Sequence, residues 1–308
     1  MTRVAVIINP IAGTGGRMDL ARERAERAAS LIARRGLDAE LLMTARPGHA
    51  RELAAGALDR GVTTVFAWGG DGTVNEVASA LAFREATLAI IPSGSGNGLA
   101  RELRIPLQAD GALEVATGGR ECRIDVGELD HRLFCNVAGI GFDARVAHRF
   151  ATDGLVRRGF FRHLEIAAQE LFSYKPDRYT VVTDGAAVCV EALLIAIANG
   201  RQYGNGAVIA PAAQLTDGRL DVVVVARRST LAAIAQVPRV FLGQIDRLEG
   251  VTCVPAVDIE VRSAHPMVYH VDGEPFVGGA SIVARPHPRA LRVMAPVDAS
   301  LDVLGPAD

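Results

Sequence analysis

Residues 63–83 read TTVFAWGGDGTVNEVASALAF and carry the clearest structural signal in the chain. The apolar run from Thr63 to Trp68 is typical of a buried strand, and Val74 to Phe83 has the spacing of a helix. A glycine-rich turn, Gly69 to Thr73, joins them. A buried strand, a tight turn and a helix form the repeating unit of an open parallel sheet.

The same unit recurs on both sides of this turn. Apolar runs of strand length alternate with helical patterns over about the first 120 residues. Strands that are apolar throughout are covered on both faces, so we predict a doubly wound α/β domain. The other predicted strands are Val4 to Ile8, Ala39 to Met43 and Thr87 to Ile91, and the other helices are Asp19 to Arg35, His49 to Arg60 and Gly98 to Leu103.

The pattern changes after about Asp125, where short strands with Gly, Pro and Asp between them predominate. Such a pattern predicts an antiparallel, sandwich-like second domain, and a short ordered crossing from Ile124 to Asp130. The predicted strands are Arg132 to Val137, Tyr179 to Thr183, Val188 to Ala198, Leu220 to Ala226, Val257 to Arg262, Met267 to Val271 and Ala280 to Arg285, with helices at Gly159 to Phe172 and Thr230 to Leu242.

Composition excludes several classes of protein. The chain has 308 residues, 49% of them hydrophobic and 22% charged, with a net charge of −2. These values are typical of a soluble globular protein and argue against disorder and against a nucleic-acid partner. Lys175 is the only lysine, so the chain has neither a GxxxxGK[ST] phosphate loop nor the strand lysine of a protein kinase.

Cysteine spacing and hydropathy point to the cellular compartment. The four cysteines lie far apart without a CxxC pair, which predicts neither a zinc site nor a disulfide framework. The most apolar stretch, Ala192 to Ala198, is too short to span a bilayer, and the first residues lack a signal-peptide layout. We therefore expect a cytoplasmic protein whose membrane contact is peripheral.

Three glycine-rich turns predict the ligand site. They are Asn9 to Gly16, Gly69 to Thr73 and Ser93 to Gly98, and each joins a predicted strand to a helix. Ligands of open α/β sheets bind at the carboxyl ends of strands, where helix N-termini offer N–H groups to anions. Each turn alone is as consistent with a plain strand-to-helix connection, but three in one domain favour a polyphosphate site.

The segment Gly69 to Glu76, GGDGTVNE, resembles the signature of the diacylglycerol kinase catalytic superfamily, which includes sphingosine and ceramide kinases. The whole chain is similar to the soluble bacterial members. Further segments of the family follow in the family's order: Asn9-Pro10, Ile91 to Asn97, Asn136 to Asp143, Leu215 to Asp221 and Val271 to Pro275.

This resemblance implies an ATP- and Mg²⁺-dependent kinase that phosphorylates a hydroxyl of a diacylglycerol-like or sphingoid lipid. It also implies a nucleotide-binding domain, residues 1–127 rejoined by 294–308, and a β-rich lipid domain, residues 128–293. Two alternatives remain open: an NAD or sugar kinase that shares the GGDGT loop, and a non-catalytic lipid-binding protein. A homodimer is also compatible with the resemblance.

The resemblance assigns the nucleotide to residues of the three turns and of the second strand. Backbone N–H groups and short hydroxyls can bind phosphate without a lysine. Arg17 is either a further phosphate contact or a solvated arginine. The nucleotide-binding residues implied are Asn9, Thr44, Gly69, Gly70, Asp71, Gly72, Thr73, Val74, Asn75 and Ser95.

Catalytic roles are implied for two carboxylates. Phosphoryl transfer needs a group that accepts the hydroxyl proton, and the resemblance gives this role to Glu274. The sequence around it is equally an Asp-Gly hairpin signal. Asp71 would face the phosphates and Mg²⁺.

The resemblance also implies an acceptor contact and a second metal site. Asp125 corresponds to a residue near the head group of the acceptor lipid, or is a capping aspartate. The metal would bind the Asp217 carboxylate and the backbone carbonyls of Gln214 and Arg219, unless that segment is a plain turn.

Two features bear on the lipid. Gly98 replaces an aspartate that many bacterial relatives carry, a pattern closer to sphingosine kinases, and it makes the non-catalytic alternative plausible. The segment Leu155 to Lys175 mixes aromatic, aliphatic and basic residues. Such a helix suits an anionic membrane surface or packs on its own domain. Under the first alternative, Phe160 and Phe161 line the lipid entrance.

Overall fold

The computed structural model describes residues 3–13, 18–152, 160–228 and 238–298. The chain forms two compact units. Unit 1 is Met1–Ile124 with Arg289–Asp308, and unit 2 is Asp125–Pro288. The two units divide at 124/125 and 288/289. The domain boundaries expected from the sequence, 127/128 and 293/294, lie three and five residues later.

Unit 1 contains a parallel sheet in the order β2-β1-β3-β4-β15. Its strands alternate with helices along the chain, as predicted. The elements are β1 (Arg3–Ile8), α1 (Met18–Arg35), β2 (Asp38–Met43), α2 (His49–Asp59), β3 (Thr64–Gly69), α3 (Asp71–Leu81), β4 (Thr87–Pro92), α4 (Gly98–Glu102), α5 (Ala109–Gly118), the start of β5 (Arg120–Leu129) and the end of β15 (Ser281–Ala295).

Burial explains why these strands are apolar throughout. Every residue of β4 is buried, as are all but the first of β1 and β3, whereas the edge strand β2 is partly exposed. A strand buried at successive positions has both faces covered, which confirms the α/β prediction. Helix α3 begins at Asp71, three residues before the predicted start, because Gly70 is extended and the helix starts inside the glycine turn.

Unit 2 is built on antiparallel strands, with β15 next to β12 and β10 paired with β9 and β11. Its remaining elements are β6 (Arg132–Phe134), β7 (Val137–Gly141), α6 (Phe142–Thr152), α7 (Phe160–Ser173), β8 (Asp177–Thr183), β9 (Ala186–Ala198), β10 (Leu220–Ala226), a 3₁₀ turn (Ile245–Arg247), β11 (Val251–Ala256), β12 (Ile259–Ser263), β13 (Val268–Val271) and β14 (Glu274–Val277).

Four predictions for residues 124–295 differ from the structure, and one of them is the strand expected at Ala280 to Arg285, which continues to Ala295 as β15. The strand expected at Arg132 to Val137 is interrupted at Cys135 and Asn136, because their N–H groups bind the Asp272 carboxylate instead of a neighbouring strand. The crossing expected at Ile124 to Asp130 lies mostly within β5. Of the helix expected at Thr230 to Leu242, residues 238–241 are helical and the earlier part lies outside the described residues.

The sequence predictions for Arg17 and for the side chains of Phe160 and Phe161 also fall outside the described residues. None of the helices that the structure does describe has the length and apolarity needed to span a bilayer.

Candidate active site

The three glycine loops of unit 1 lie directly against one another. A Cβ on Gly13, whose φ is +87°, would stand 2.8 Å from the carbonyl oxygen of Ser93. A Cβ on Gly94 would stand 2.6 Å from Cα of Gly70. Such distances exclude any side chain, so glycine at these positions is what lets the loops after β1, β3 and β4 converge.

Asn9 fastens the first loop to the GGDGT loop. Its Nδ2 donates to Thr73 Oγ1 at 2.9 Å, and its Oδ1 accepts the Ile11 N–H at 3.1 Å. Arg24 of α1 supports the same loop, since its guanidinium donates to the carbonyl oxygens of Asn9 and Ala12, each at 2.9 Å. Burial lowers the pKa of Arg24. The sequence analysis missed Arg24, and no local pattern marks it.

Asp71 joins the GGDGT loop to the loop after β4. Its Oδ2 accepts the N–H of Asn97 at 2.9 Å and its Oδ1 accepts that of Gly98 at 2.6 Å, at the start of α4. The Asn97 side chain in turn bonds both the N–H and the carbonyl of Gly94. The Asp71 carboxylate thus binds the positive end of α4. Gly98, the departure from the family pattern, supplies one of these N–H groups.

One part of the converged loops is open. A Cβ on Gly72 would meet no atom of the described residues within 4 Å, and Ser95 is exposed. Ser93 Oγ is buried and has no hydrogen-bond partner among the described residues, which is unusual for a buried hydroxyl. Sequence reasoning selected Ser95 and missed Ser93. The buried hydroxyl and the open space are features expected where a ligand with acceptor oxygens binds.

The other nucleotide-binding residues implied by the resemblance lie around these loops. Thr44 follows β2 and its N–H donates to Ile8. Gly69, Thr73 and Val74 are buried, and the N–H of Val74 already donates to Gly70, at 3.0 Å. The roles of these residues, and of Asn75 beside Ser79, stay predictions.

Glu76, the last residue of the motif, has a structural role that the sequence analysis did not assign. Its carboxylate accepts the N–H groups of Gly48 at 2.8 Å and Ala50 at 2.9 Å, at the start of α2. Helix α3 thereby holds the loop that follows Thr44.

In unit 2, Asp272 and Gly273 form the two-residue turn between β13 and β14. Their φ values are +45° and +86°, so both are left-handed, as in a type I′ hairpin. The Asp272 carboxylate accepts the N–H groups of Cys135, Asn136 and Val137 at 2.8 to 3.1 Å. Glu274 is the first residue of β14 and is exposed. The hairpin alternative is correct for the backbone, and the catalytic role of Glu274 stays a prediction.

A polar cluster that the sequence analysis missed lies behind this turn. Tyr203 donates its hydroxyl to Asp143 Oδ2 at 2.7 Å, and His270 Nε2 lies 3.3 Å from the same oxygen. The other ring nitrogen, Nδ1, accepts the N–H of Gly273 at 3.3 Å. Desolvation, together with the Asp143 carboxylate, raises the pKa of Tyr203 well above its ordinary value. The only sequence signal was that Asp143 and His270 lie in or beside quoted motifs.

Asp125 is fully buried in unit 2. Its Oδ2 accepts the Gly218 N–H at 2.7 Å, and its backbone oxygen accepts Asn199 Nδ2 at 2.9 Å. Asn199 also donates to Cys135, next to Asn136. Oδ1 of Asn136 and Oδ1 of Asn199 are buried without partners among the described residues.

The segment proposed for a second metal is an exposed turn. Asp217 Oδ1 accepts the Arg219 N–H at 3.0 Å, and Gln214 is exposed like both of them. Burial, and next the Asp217 carboxylate, raise the pKa of Asp221 to about 6. Within the described part of the chain, no group of three or more His, Cys, Asp or Glu side chains could hold a metal ion.

Comparison with known proteins identifies the family. Residues 3–129 match the diacylglycerol kinase catalytic domain, and residues 136–295 match the YegS C-terminal NAD kinase beta sandwich-like domain. The chain is 32% identical to a protein of Klebsiella pneumoniae (strain 342) named "Probable lipid kinase YegS-like", covering 89% of this chain and 92% of the other. It is 31% identical to a diacylglycerol kinase of Mycobacterium tuberculosis (strain ATCC 25618 / H37Rv), over 96% and 95% of the two chains.

A solved diacylglycerol kinase from Bacillus anthracis str. Sterne shares the fold, with a TM-score of 0.73 at 22% identity, covering 97% of this chain and 98% of the other. Fold and relatives together define a kinase. More particularly, the chain belongs to the lipid kinase family of the YegS-like proteins and diacylglycerol kinases.

Proposed function

We propose that this protein transfers the γ-phosphate of ATP, in the presence of Mg²⁺, to a hydroxyl group of a diacylglycerol-like or sphingoid lipid. The observation that carries the proposal is the convergence of three glycine loops in unit 1, which the hydrogen bonds of Asn9 and Asp71 link to one another. Tightly joined loops at the carboxyl ends of parallel strands suit a polyphosphate.

The residues present fit a nucleoside triphosphate. Backbone N–H groups in the first turn of a helix lack intrahelical acceptors, and Gly72 leaves open space beside the first turn of α3. Ser93 Oγ supplies a hydroxyl donor that has no acceptor among the described residues, and Ser95 is exposed on the same loop.

Asp71 fits a magnesium site completed by the nucleotide. Mg²⁺ in such kinases is held by one or two carboxylates with phosphate oxygens and water. The Asp71 oxygens accept the N–H groups of Asn97 and Gly98, and a carboxylate, which is an acceptor only, is the kind of ligand that Mg²⁺ takes. When bound, the ion would neutralise charge on the phosphates.

Glu274 is proposed as the general base. It is an exposed carboxylate on a turn fixed by three hydrogen bonds to Asp272. A base within hydrogen-bond reach of the acceptor hydroxyl takes its proton as the phosphoryl group arrives.

Asp125 is proposed to contact the polar head of the acceptor. The unpartnered amide oxygens of Asn136 and Asn199 support a polar site in this part of unit 2, because they can accept hydrogen bonds from hydroxyl groups. The head group would have to reach a carboxylate that is buried in this structure.

The second metal site is proposed at Asp217 with the carbonyls of Gln214 and Arg219. The nearby Asp221 carboxylate supports it, because two close carboxylates repel each other and a cation relieves that repulsion. Its role would be structural, ordering the turn that contacts Asp125.

We also propose that the protein is cytoplasmic and associates peripherally with membranes through the segment Leu155 to Lys175. Replacing Phe160 and Phe161 by serine should weaken binding to anionic liposomes and slow turnover of a lipid substrate. Unchanged liposome binding and turnover would refute this role.

The decisive experiment measures transfer of labelled γ-phosphate from ATP with Mg²⁺ to micelles of diacylglycerol, monoacylglycerol, phosphatidylglycerol, sphingosine or ceramide. We expect labelled product with at least one lipid, and none with the Glu274→Ala variant. Parallel reactions with NAD and with sugars test the alternative acceptors. Absence of product from every lipid while ATP still binds would contradict the proposal.

A further inference from the structure

His270 is buried, but its imidazole ring makes polar contacts that an apolar core residue would not need. Only 3% of its surface is exposed, and both ring nitrogens have polar partners on different elements. One partner is Asp143 at the start of α6, and the other is the backbone of the turn that leads into Glu274. A buried imidazole with two fixed partners has a defined tautomer.

The hydrogen bonds determine that tautomer. A backbone N–H can only donate, so the 3.3 Å contact with Gly273 requires Nδ1 to be an unprotonated acceptor. The proton of a neutral imidazole is then on Nε2, where it points to Asp143 Oδ2 at 3.3 Å. Tyr203 donates to the same carboxylate oxygen at 2.7 Å and, with its raised pKa, remains a donor.

The chain leaves room for this cluster at Gly139 of β7, which is paired with His270. A Cβ at Gly139 would overlap Asp143 Oδ2 and stand 2.8 Å from His270 Nε2. Asp143 also accepts the N–H of Ala144 at 2.8 Å through Oδ1, so its orientation is fixed from a second side.

We propose that His270 is a positioning residue for Glu274. Asp143, oriented by Tyr203, holds the Nε2–H tautomer, and Nδ1 then holds the Gly273 N–H and sets the left-handed turn immediately before Glu274. The proposal rests on the proposed function only in taking Glu274 as the base. Its hydrogen-bond basis can be measured on the resting protein.

The first test is spectroscopic and uses the full chain. Labelling histidine with ¹⁵N gives seven imidazole groups, and the His270→Asn variant identifies the one that belongs to His270. We expect an unprotonated Nδ1 and a protonated Nε2 at pH 7. A proton on Nδ1 would overturn the proposal.

The same sample can report on the turn. Labelling Asp with ¹³C and Gly with ¹⁵N selects Asp–Gly pairs, among them Asp272–Gly273. We expect the Gly273 amide to be protected from hydrogen exchange in the native protein and in His270→Asn, whose side-chain oxygen lies near the position of Nδ1. Protection should be lost in His270→Leu. Equal protection in the native protein and His270→Leu would overturn the proposal.

Kinetics provide the second test, with the lipid that the labelled-ATP assay identifies. His270→Leu should lower kcat about 10- to 100-fold, the loss typical of a supporting residue, with an unchanged KM for ATP. His270→Asn should recover most of this loss. His287→Leu is the matched control, since His287 also bonds a carboxylate of unit 2, Glu128, at 2.7 Å.

A double variant separates positioning from general destabilisation. Because Glu274→Ala is expected to give no product, the cycle uses Glu274→Asp, which keeps a carboxylate in a shifted position. If His270 acts through Glu274, adding His270→Leu to Glu274→Asp should lower turnover by less than it does in the native protein. An independent, multiplicative loss would overturn the proposal. If the native protein phosphorylated none of the lipids, the proposed function would fail, while the tautomer and the Gly273 amide would still decide whether His270 sets the turn.

Discussion

At Asp71, a role predicted from the sequence meets a contact seen in the structure. The sequence predicts that it faces the phosphates, whereas the structure shows its carboxylate on the N–H groups of Asn97 and Gly98. The two roles are compatible, because an oxygen that accepts one N–H can still bind a cation. The bond from Gly98 uses a backbone N–H, which every residue except proline carries, so this contact does not depend on glycine at position 98.

Replacing Asp71 by asparagine should weaken both the fold of the loops and ATP binding. The amide keeps only one acceptor oxygen and turns an NH₂ group toward a backbone N–H, a mismatch that costs about 1–3 kcal/mol. Thermal unfolding and ATP titration would measure the two effects. Glu274→Gln serves as control and should bind ATP normally. Native-like stability and ATP affinity of the Asp71 variant would contradict the loop-joining role.

Gly72→Ala tests whether the open space beside the GGDGT loop belongs to the ligand. Alanine is about 0.5–1 kcal/mol better than glycine inside a helix, and the new methyl group meets no atom in the described part of the chain, so stability should be maintained or rise. ATP affinity should fall because the methyl group occupies the phosphate position. Gly94→Ala is the contrasting variant, since its methyl group collides with Gly70 and should destabilise unit 1. Undiminished ATP affinity in Gly72→Ala would place the phosphates elsewhere.

Sequence motifs marked Asp71 and Glu274 as candidates, but not the contacts that hold the segments around them. The hydrogen bond between Asn136 and Asp272 joins residues that are 136 positions apart in the sequence. The hydrogen bond between Gly48 and Glu76 joins residues that are 28 positions apart. No local pattern encodes such pairs. Ser93 is a related case, because only the packed loop reveals that its hydroxyl has no acceptor among the residues that the structure describes.

At the scale of elements, the strongest predictions were those for strands covered on both faces. The ends of β1, β3 and β4 lie within one residue of the predicted ends. A short, continuous apolar run bounded by turn residues is typical of a buried strand, so its limits can be read from the sequence. The sequence did not predict several elements in which polar and apolar residues are mixed. These are the strands β5, which starts in polar residues, β11 and β14, and the helices α5 and α6. Helix α6 begins directly after Gly141, whose φ of +98° turns the chain out of β7.

One buried glutamate of α7 and two arginines of α6 link these helices. Their packing should weaken at acidic pH, where the glutamate becomes protonated. Glu170 of α7 is buried and accepts hydrogen bonds from Arg145 at 2.6 Å and Arg149 at 2.5 Å. The hydrogen bond from Arg145 is the main reason that the pKa of the Glu170 carboxyl is lowered. A carboxylate whose pKa is lower in the folded protein than in the unfolded chain stabilises the folded state. This stabilisation is complete above the unfolded pKa, about 4.3, and is lost as the pH falls through the folded-state pKa.

Glu170→Gln should therefore lower thermal stability at pH 7, by about 1–3 kcal/mol, because charged hydrogen bonds to half-exposed arginines are lost. The difference from the native protein should shrink below about pH 4, as native Glu170 becomes protonated. Unfolding followed from pH 3 to pH 8 would measure it. The exposed Glu165→Gln, on the same helix, should change stability by less than about 0.5 kcal/mol. A difference that grew toward acid would refute this account.

For the whole molecule, the two units should respond differently to nucleotide. ATP with Mg²⁺ at about 100 times its Kd stabilises the state that binds it by about 2.7 kcal/mol. Hydrogen exchange should slow in segments 69–76 and 93–98 of unit 1, with no comparable change in β8 and β9 of unit 2. Exchange measured by mass spectrometry on the full chain, with and without ATP, tests this. Protection confined to unit 2 would contradict the nucleotide assignment.

The late return of the chain into unit 1 has a consequence for biosynthesis. Thr87 and Leu88 of β4 pair with Arg292 and Val293, near the end of β15, and Val293 is fully buried there. While the ribosome is still making unit 2, β4 has no neighbour on that side, and an unpaired strand edge readily adds foreign strands. Most of unit 1 is thus translated before unit 2 but completed after it, and β4 keeps an edge open to aggregation until Arg292 and Val293 have been synthesised.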